Sequence, residues 1–378
     1  MKNYPIVVEI DLAAFKSNIL EIRKIIKPTT KIIAVVKANA YGHGMVKLAK
    51  SALKFGVDSL AVARASEAIQ LRKSDICCPI LVFGYCMTKD EIEQLIINNV
   101  TFTIYDLNTA EVINSYAKKL NKQAVIHIII DTGMSRLGFS SKIETIEKIK
   151  KIKKLANIFL EGIYTHFADA DNYEKEYTRM QLACFNNFLN LLDENNITIP
   201  IKHAANSAAI IDHPDAHFDA VRPGIATYGL YPSKHINKSK LSLIPIMTLR
   251  TKIAQVKIIH KGTKVGYGCR FTADHNIKIA TLPIGYADGF SRMLKNGKVL
   301  VKGKIAPVIG TICMDHCMIN VDHIPEVNKG DEVVIIGKQG SKRITIDDIA
   351  QKLGTINYEV VCMVSFRTPR TYVCHTDI

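Results

Sequence analysis

A lysine stands directly after a short apolar run near the start of the sequence, and a lysine in that position can do chemistry. The run is Ile32–Val36 and the lysine is Lys37, in the stretch K-I-I-A-V-V-K-A-N-A-Y-G-H-G. An unbroken run of mostly β-branched residues predicts a strand buried on both faces. Burial lowers the pKa of a lysine and lets its amine form an imine with an aldehyde. The alternative is a lysine whose charge reaches water from the strand end.

Further polar residues follow other apolar runs of the sequence. They include two arginines, a histidine, an amide and a hydroxyl, in the segments Asp131-Thr-Gly-Met-Ser-Arg136, Tyr164-Thr-His166, His203-Ala-Ala-Asn206-Ser207 and Arg222-Pro-Gly224-Ile225. Taken singly, Arg136 fits a salt bridge at a rim, and His166 fits a histidine satisfied by its neighbours. In a parallel barrel the C-terminal ends of the strands converge on one mouth, and helix starts there bind anions such as phosphate. The set therefore predicts a site rather than scattered structural contacts.

The elements that must position these residues alternate between strand and helix patterns. Eight short apolar runs are separated by helical patterns, at Ile32–Val36, Ser59–Val62, Ile80–Gly84, Phe102–Tyr105, Ala124–Asp131, Phe159–His166, Ile201–Ala205 and Asp219–Gly229. Such alternation predicts a parallel α/β fold, and a closed (β/α)8 barrel of the TIM type is the simplest eight-stranded solution. An open doubly wound sheet is the competing fold, disfavoured because no G-x-G-x-x-G follows the first strand.

The pattern of the sequence changes at about Pro232. Helical periodicity gives way to short alternating segments broken by Gly and Asp-His turns, which predicts a mostly-β domain. We therefore expect a barrel domain over residues 1–232 and a C-terminal β domain over residues 233–378. The first strand, Val7–Ile10, is expected to join the C-terminal domain.

Composition excludes several classes of function. The 378 residues are 48% hydrophobic and 22% charged, which is ordinary for a globular protein with a sizeable core. The net charge of +15 is spread out, and its densest segment, Lys142–Lys154, has the pattern of an amphipathic helix, so no nucleic-acid partner is expected. Nine cysteines without metal-ligand spacing predict free thiols in a reducing compartment and no metal site. With no signal peptide and no membrane-spanning run, the sequence predicts a cytoplasmic protein.

Eight motifs in order resemble the alanine racemase family. They are A-V-V-K-A-N-A-Y-G-H-G, D-T-G-M-S-R-L-G-F, H-A-A-N-S-A, V-R-P-G-I, V-G-Y-G, I-G-Y-A-D-G, C-M-D and T-I-N-Y-E-V, and the similarity extends from about Val7 to Tyr372. Together these motifs are highly specific. The resemblance implies a pyridoxal 5′-phosphate (PLP) enzyme of fold type III that interconverts L- and D-alanine and supplies D-alanine for peptidoglycan. It also implies a homodimer in which the partner's C-terminal domain completes each active site.

The same resemblance assigns the reacting groups. It implies that Lys37 binds PLP as an imine and is the base on one face of the α-carbon, whereas Tyr267 of V-G-Y-G is the base on the opposite face. His166, backed by Arg222, would stabilise the anion of that tyrosine. Arg222 would face the pyridine nitrogen and, as a pure donor, keep it unprotonated, which makes the cofactor a weaker electron sink.

The resemblance also assigns the binding residues. It implies that Arg136 hydrogen-bonds the cofactor phenolate near the substrate carboxylate, where Met314 adds contacts. The phosphate is expected on Tyr41, Ser207, Gly224, Ile225 and Tyr358, with Asn206 close by. Tyr286 and Asp315 are expected to support and narrow the opening of the site.

The sequence departs from the family pattern at one position. In many relatives the strand before D-T-G-M carries a carbamate-modified lysine that orients the arginine, and this chain has Ile129 there. An isoleucine cannot provide that acceptor. We therefore expect either chloride or another anion beside Arg136, or orientation by a different residue.

Three other functions stay open at this point. A serine or broad-specificity racemase is one, because binding distinguishes a methyl from a hydroxymethyl group by only ~1 to 3 kcal/mol. An amino-acid decarboxylase needs a carboxylate opposite the pyridine nitrogen, where this chain has Arg222. A non-catalytic PLP-binding protein would use only the barrel, so Tyr267 and Met314 argue against it.

Overall fold

The computed structural model describes residues 4–85 and 88–374, and the chain folds as two units. The unit we call the barrel unit comprises residues 15–40 and 44–244. The other, the β unit, comprises residues 4–14, 41–43 and 245–374. The chain therefore enters the barrel unit from the β unit, returns to the β unit for three residues, and ends there.

Strand β1 (Ile6–Asp11) and helix α1 (Leu12–Lys24) open the described chain. Asp11 begins the helix, because its Oδ1 accepts the N–H groups of Ala13 and Ala14 at 2.8 and 3.1 Å. A carboxylate at this position satisfies two donors that have no partner within the helix.

Eight parallel strands close a barrel. The strands of this unit are β2 (Lys31–Val35), β3 (Ser59–Val62), β4 (Ile80–Val82), β5 (Thr101–Ile104), β6 (Ala124–Asp131), the short β7 (Phe139–Ser140), β8 (Ile158–Tyr164), β9 (Ile201–Asn206) and β10 (Ala220–Arg222). β2 pairs with both β3 and β10, β5 pairs with β6, and β7 pairs with the last two residues of β6. Because the ring of pairings closes, the (β/α)8 prediction is confirmed and the open doubly wound sheet is wrong.

The last predicted strand of the barrel is much shorter than the sequence suggests. The apolar run Asp219–Gly229 contains only the three-residue strand β10, and a 3-10 helix follows at Ile225–Tyr228. Pro223 cannot donate to a strand ladder, and Gly224 has a non-extended backbone with φ −112° and ψ −95°. Residues 220–229 are buried, but burial alone does not distinguish a strand from a buried turn of helix.

Helices connect the strands of the barrel. They are α2 (Lys37–Tyr41), α3 (Met45–Lys54), α4 (Ala65–Arg72), α5 (Lys89–Ile97), α6 (Leu107–Lys119), α7 (Ile143–Lys153), α8 (Glu176–Glu194) and α9 (Ser207–Asp212), with 3-10 turns at Pro214–Ala216 and Lys238–Lys240. The lysine-rich helix α7 buries Ile146, Ile149 and Ile152 along one side. Its lysines lie on the exposed side, as its spacing predicts.

The β unit is mostly strand. It contains β11 (Met247–Lys252), β12 (Gln255–Ile259), β13 (Lys264–Val265), β14 (Phe271–Thr272), β15 (Ile277–Leu282), β16 (Lys298–Val301), β17 (Lys304–Ile309), β18 (Cys317–Asn320), β19 (Glu332–Gln339), β20 (Lys342–Ile344), β21 (Arg370–Val373) and helices α10 (Ile346–Leu353) and α11 (Asn357–Met363). β1 pairs antiparallel with β11 and parallel with β21. The predicted mostly-β C-terminal domain is confirmed, whereas helix α11 was not predicted.

The described part of the chain has no helix long and apolar enough to cross a membrane. Its eight cysteines are free thiols, and Cys86 lies outside the described residues. No group of His, Cys, Asp and Glu within residues 4–85 and 88–374 is arranged to hold a metal ion.

Candidate active site

Lys37 lies at the C-terminal end of the β2 strand and begins an unusual backbone segment. The next four residues, Ala38–Tyr41, have φ angles of 52, 54, 53 and 52°, so α2 winds left-handed. This conformation costs an L-residue roughly 1–2 kcal/mol. Hydrogen bonds hold it: Ala38 donates to Glu67 Oε1 at 2.6 Å, and Asn39 Oδ1 accepts the Met45 N–H at 2.9 Å. Strain of this kind is concentrated at functional sites.

Arg222 ends β10 and is only 3% exposed. Its Nη1 donates to His203 Nδ1 at 2.7 Å, and its Nη2 donates to the carbonyls of Thr165 and Ala204 at 2.8 Å and to His166 Nδ1 at 3.2 Å. None of these acceptors is a carboxylate. Burial lowers the pKa of Arg222 to about 10, which leaves it protonated at neutral pH. Its remaining donor, Nε, has no acceptor among the residues described.

The positive charges of the barrel mouth converge on His166. Burial and then the charges of Arg222, Arg136 and Lys37 hold the pKa of His166 well below its ordinary value. The imidazole is therefore neutral at pH 7, with Nδ1 accepting from Arg222. Lys37, Arg136 and Arg222, predicted to converge at the C-terminal ends of different strands, thus all act on the His166 imidazole.

Ser207, at the start of α9, lies beside the turn that follows β10. Its Oγ accepts the N–H groups of Gly224 at 2.9 Å and Ala226 at 3.3 Å, so its own proton is left to donate. The Ile225 N–H has no acceptor within the described chain. Asn206 caps α9 by accepting a backbone N–H at 3.0 Å. The Ser207 hydroxyl and the Ile225 N–H are thus two donors that suit an anion.

Arg136 is presented on a loop with a fixed backbone. Asp131 Oδ1 accepts the N–H groups of Gly133 and Ser135 at 2.9 and 3.0 Å, which folds the loop back on the end of β6. The Arg136 side chain is exposed and has no hydrogen-bond or ion-pair partner among residues 4–85 and 88–374. Ile129 is buried. Orientation of Arg136 by a different residue is thus not observed, and an anion beside it stays a prediction.

Tyr267 lies in the β unit, on the loop that joins β13 to β14. Gly266 and Gly268 flank it with φ angles of 71 and 73°, a conformation that favours glycine. Thr311 Oγ1 donates to the Tyr267 carbonyl at 2.7 Å, which holds the backbone. The side chain itself extends into solvent, and the residue is 67% exposed.

Met314 and Tyr286 lie on two loops of the β unit that touch. A Cβ added at Gly285 would lie 2.2 Å from the Met314 carbonyl oxygen, so only glycine permits this approach. The Tyr286 N–H donates to the Cys313 carbonyl at 3.0 Å. Both candidate side chains are exposed, Met314 at 53% and Tyr286 at 39%.

Asp315 is held by a cation that the sequence analysis did not select. Arg367 donates from Nη2 to Asp315 at 2.6 Å and from Nε to the buried Asp288 at 2.7 Å. These two carboxylates raise the pKa of Arg367. Arg367 therefore ties the exposed Asp315 to the buried Asp288.

Tyr41 and Tyr358 also belong to the β unit. Their ring centroids are 6.1 Å apart, and burial raises the pKa of Tyr41. The predicted residues are thus divided between the units. Lys37, Arg136, His166, Asn206, Ser207, Arg222, Gly224 and Ile225 lie in the barrel unit, and Tyr41, Tyr267, Tyr286, Met314, Asp315 and Tyr358 lie in the β unit.

A closed (β/α)8 barrel with a lysine, two arginines and a neutral histidine at the C-terminal ends of its strands is the architecture of a barrel enzyme. Family models narrow this class. The model described as "Alanine racemase, N-terminal domain" matches residues 10–232, and "Alanine racemase, C-terminal domain" matches residues 246–372.

Individual relatives agree with the family models. An alanine racemase of Methanococcus maripaludis is 56% identical over 373 residues, which cover 99% of this chain and 100% of the relative. The solved structure of an alanine racemase from Clostridium difficile 630 superposes with a TM-score of 0.96 at 44% identity, covering 100% of this chain and 98% of that one. Its complex with cycloserine gives a TM-score of 0.94 at 43% identity, again covering 100% and 98%. This chain belongs to the alanine racemase family, which confirms the resemblance found in the sequence.

Proposed function

We propose that this enzyme interconverts L- and D-alanine with bound PLP, using Lys37 and Tyr267 as bases on opposite faces of the substrate. The observation that carries the proposal is Arg222. Burying a protonated guanidinium without a carboxylate partner costs free energy, and the Nε of Arg222, which has no acceptor among the described residues, is left to donate to a ligand. Family membership supplies the reaction to which that function belongs.

The donor set in the barrel fits PLP. A pyridine nitrogen needs one donor, which Arg222 Nε would supply, and a phosphate needs several, of which Ser207 Oγ and the Ile225 N–H would supply two. Lys37 provides the amine that an aldehyde requires. The Gly224 N–H is donated to Ser207, so we assign Gly224 the role of orienting that hydroxyl. Tyr41 and Tyr358 stay as proposed phosphate contacts, and Asn206 as the cap of α9.

Bound PLP draws electrons away from the substrate α-carbon and so makes its proton removable. Arg222 would limit this effect, because a guanidinium donates only and would leave the ring nitrogen unprotonated. His166 and His203, both neutral, accept from Arg222 and hold it in place. A decarboxylase needs a carboxylate at this position, and the described contacts of Arg222 include none.

Racemisation needs a proton removed from one face and delivered to the other. We assign these roles to the Lys37 amine and to the Tyr267 hydroxyl of a second copy. The 67% exposure of Tyr267, on a loop with a held backbone, makes its side chain accessible to another molecule. The proposed assembly is therefore a homodimer with shared active sites.

Arg136 and Met314 are proposed to contact the substrate carboxylate, with chloride or another anion orienting Arg136. Tyr286 and Asp315 are proposed to narrow the opening of the site, and the Arg367 bridge supports this by restraining Asp315. A narrow site favours alanine, while serine differs by one hydroxyl, worth ~1–3 kcal/mol in binding. The related Clostridium difficile alanine racemase has been solved in complex with cycloserine, a small molecule.

The proposed cellular role is the supply of D-alanine for peptidoglycan in the cytoplasm. The eight free thiols among the described residues support a reducing compartment. Growth of a D-alanine-requiring bacterial strain should be restored by the gene for this chain and not by its Lys37→Ala form.

The experiment that tests the reaction is the visible spectrum of the purified protein with PLP, followed by the loss of optical rotation of L-alanine. Lys37→Ala is the test variant, and Lys50→Ala, which removes an exposed lysine from α3, is the matched control. We expect wild type and Lys50→Ala to show lysine-bound PLP and racemise, and Lys37→Ala to do neither. Lysine-bound PLP without racemisation would point to the cofactor-binding or decarboxylase alternatives, and no bound PLP would refute the proposal.

A further inference from the structure

A row of buried hydrogen bonds runs from Arg222 away from the barrel mouth. Arg222 Nη1 contacts His203 Nδ1 at 2.7 Å, His203 Nε2 contacts His127 Nδ1 at 2.8 Å, and His127 Nε2 contacts Glu161 Oε2 at 3.1 Å. His203 is fully buried and His127 is 4% exposed. We call these four residues the barrel relay. Of these four residues, only Arg222 has a role implied by the sequence motifs.

The contacts fix where each proton of the barrel relay lies. Arg222 only donates, so His203 Nδ1 must accept. Burial, and then the Arg222 charge, hold the pKa of His203 well below its ordinary value, so this ring carries a single proton, which must be on Nε2. His127 Nδ1 must then accept that proton's hydrogen bond. The proton of His127 is consequently on Nε2 and is donated to Glu161.

The backbone around His127 is adapted to this arrangement. A Cβ added at Gly162 would lie 2.5 Å from both Nδ1 and Cε1 of His127, so the ring occupies the space of a missing side chain. The pairing of β6 with β8 also shifts register between Ile126 and His127. A register shift re-aims a side chain within a strand. Both features place the ring between His203 and Glu161.

Glu161 is the end of the barrel relay that meets solvent. Its side chain is 30% exposed and borders a cavity of about 240 Å³, which is also lined by the first residues of several strands, among them Lys31 and Ser59. The cavity is therefore at the N-terminal end of the barrel, opposite the mouth. The hydrogen bond from His127 lowers the pKa of Glu161, so its carboxylate is an acceptor at neutral pH.

We propose that Glu161 is a positioning residue for Arg222: by accepting from His127, it fixes one tautomer in both histidines and thereby holds the guanidinium toward its proposed partner. The expected effect on catalysis rests on the proposed function. The assignment of the tautomers rests on the hydrogen bonds alone. If residue 161 lacks an acceptor, the His127 Nε2 proton has no partner, and His127 exchanges tautomers or turns. His203 then loses its own acceptor, and Arg222 its fixed contact.

The direct test is the nitrogen spectrum of ¹⁵N-histidine-labelled protein at neutral pH, with His127→Gln and His203→Gln used to assign the two signals. We expect both rings to be neutral and protonated on Nε2. The test variants are Glu161→Ala, which removes the acceptor, and Glu161→Gln, which keeps one. Asp58→Asn is the matched control, because Asp58 borders the same cavity but bonds Arg23 and the Ile32 N–H.

Glu161→Ala should shift the His127 signal, while Glu161→Gln and Asp58→Asn should leave it close to that of wild type. A wild-type ring protonated on Nδ1, or an unchanged His127 signal in Glu161→Ala, would overturn the proposal. These spectra can be interpreted even if the protein does not racemise alanine. A failure of the proposed function can therefore be distinguished from a failure of the tautomer assignment.

The kinetic test separates positioning from general damage. Loss of a hydrogen-bond partner that orients a metal ligand typically costs about 10- to 100-fold in activity. By analogy, we expect Glu161→Ala to lower kcat about tenfold with KM within about twofold. Glu161→Gln should restore kcat to within about threefold of wild type. Equal loss in Asp58→Asn, or no recovery in Glu161→Gln, would contradict the acceptor role.

Discussion

The two groups of proposed site residues differ in how the protein holds them. In the barrel unit, Arg222 is 3% exposed and makes four hydrogen bonds to protein atoms. In the β unit, Tyr267 and Met314 are 67% and 53% exposed, and the contacts that hold them are made by their backbone carbonyls. Arg222 is thus held by residues of its own chain, whereas Tyr267 and Met314 have side chains available to another molecule. The comparison suggests that cofactor binding belongs to the single chain and that the second base belongs to the assembly.

The largest expected effect is that of Tyr267→Phe on the racemisation rate. Because the residue is exposed, loss of its hydroxyl should leave the unfolding midpoint unchanged. Loss of a general base should lower kcat by ~10²–10⁴-fold while PLP still binds. The measurements are the racemisation rate and the PLP absorbance of the variant and of wild type. Tyr173→Phe is the control, since Tyr173 is 74% exposed in the barrel unit, and full activity in Tyr267→Phe would remove the second base from the account.

Arg222→Lys should lower both stability and activity, whereas Tyr267→Phe should lower activity alone. A lysine cannot reproduce the four contacts and leaves buried acceptors unpaired, so we expect the free energy of unfolding to fall by about 3 kcal/mol. The exposed Arg136 is the comparison, because Arg136→Lys should change the free energy of unfolding by less than about 0.5 kcal/mol. Urea unfolding of both variants measures the difference. Equal stability of the two would show that burial of Arg222 has no structural role.

A smaller effect is expected from pH on the barrel unit. The pKa values of His166 and His203 are lowered well below 6.5 in the folded chain, mainly by burial. The unfolded chain therefore binds more protons below pH 6.5, and stability falls as pH decreases from there. Each imidazole contributes up to about 1.4 kcal/mol per pH unit. Urea midpoints at pH 7.5, 6.5 and 5.5 test this, and a midpoint that rises toward pH 5.5 would contradict it.

The sequence is informative about the fold because alternation of apolar runs and helical patterns is a local property. The closed barrel, the β domain and the position of Lys37 after a buried strand follow from that alternation. The left-handed segment Ala38–Tyr41 does not, because alanine and tyrosine rarely adopt positive φ and nothing in their types indicates it. Glu67, which holds this segment, is brought near only by the fold.

The site is predictable to a similar extent. Residues at strand ends can be selected because the fold brings such positions together, as it does for Arg222 and His166. His127 and Glu161 lie within strands, where the sequence pattern gives a histidine and a glutamate no partner. Gly162, next to Glu161 in a strand, was the one available signal, since an isolated strand glycine indicates a close approach.

The most direct test of a shared active site is complementation between two inactive variants. Lys37→Ala and Tyr267→Phe chains, carrying different tags, are expressed together, and the mixed dimers are purified beside each parent. If each site combines Lys37 of one copy with Tyr267 of the other, random pairing gives one intact site in every mixed dimer and about a quarter of wild-type activity in the whole population. Activity no greater than that of the two parents would contradict the account, because it would mean that both bases come from one chain.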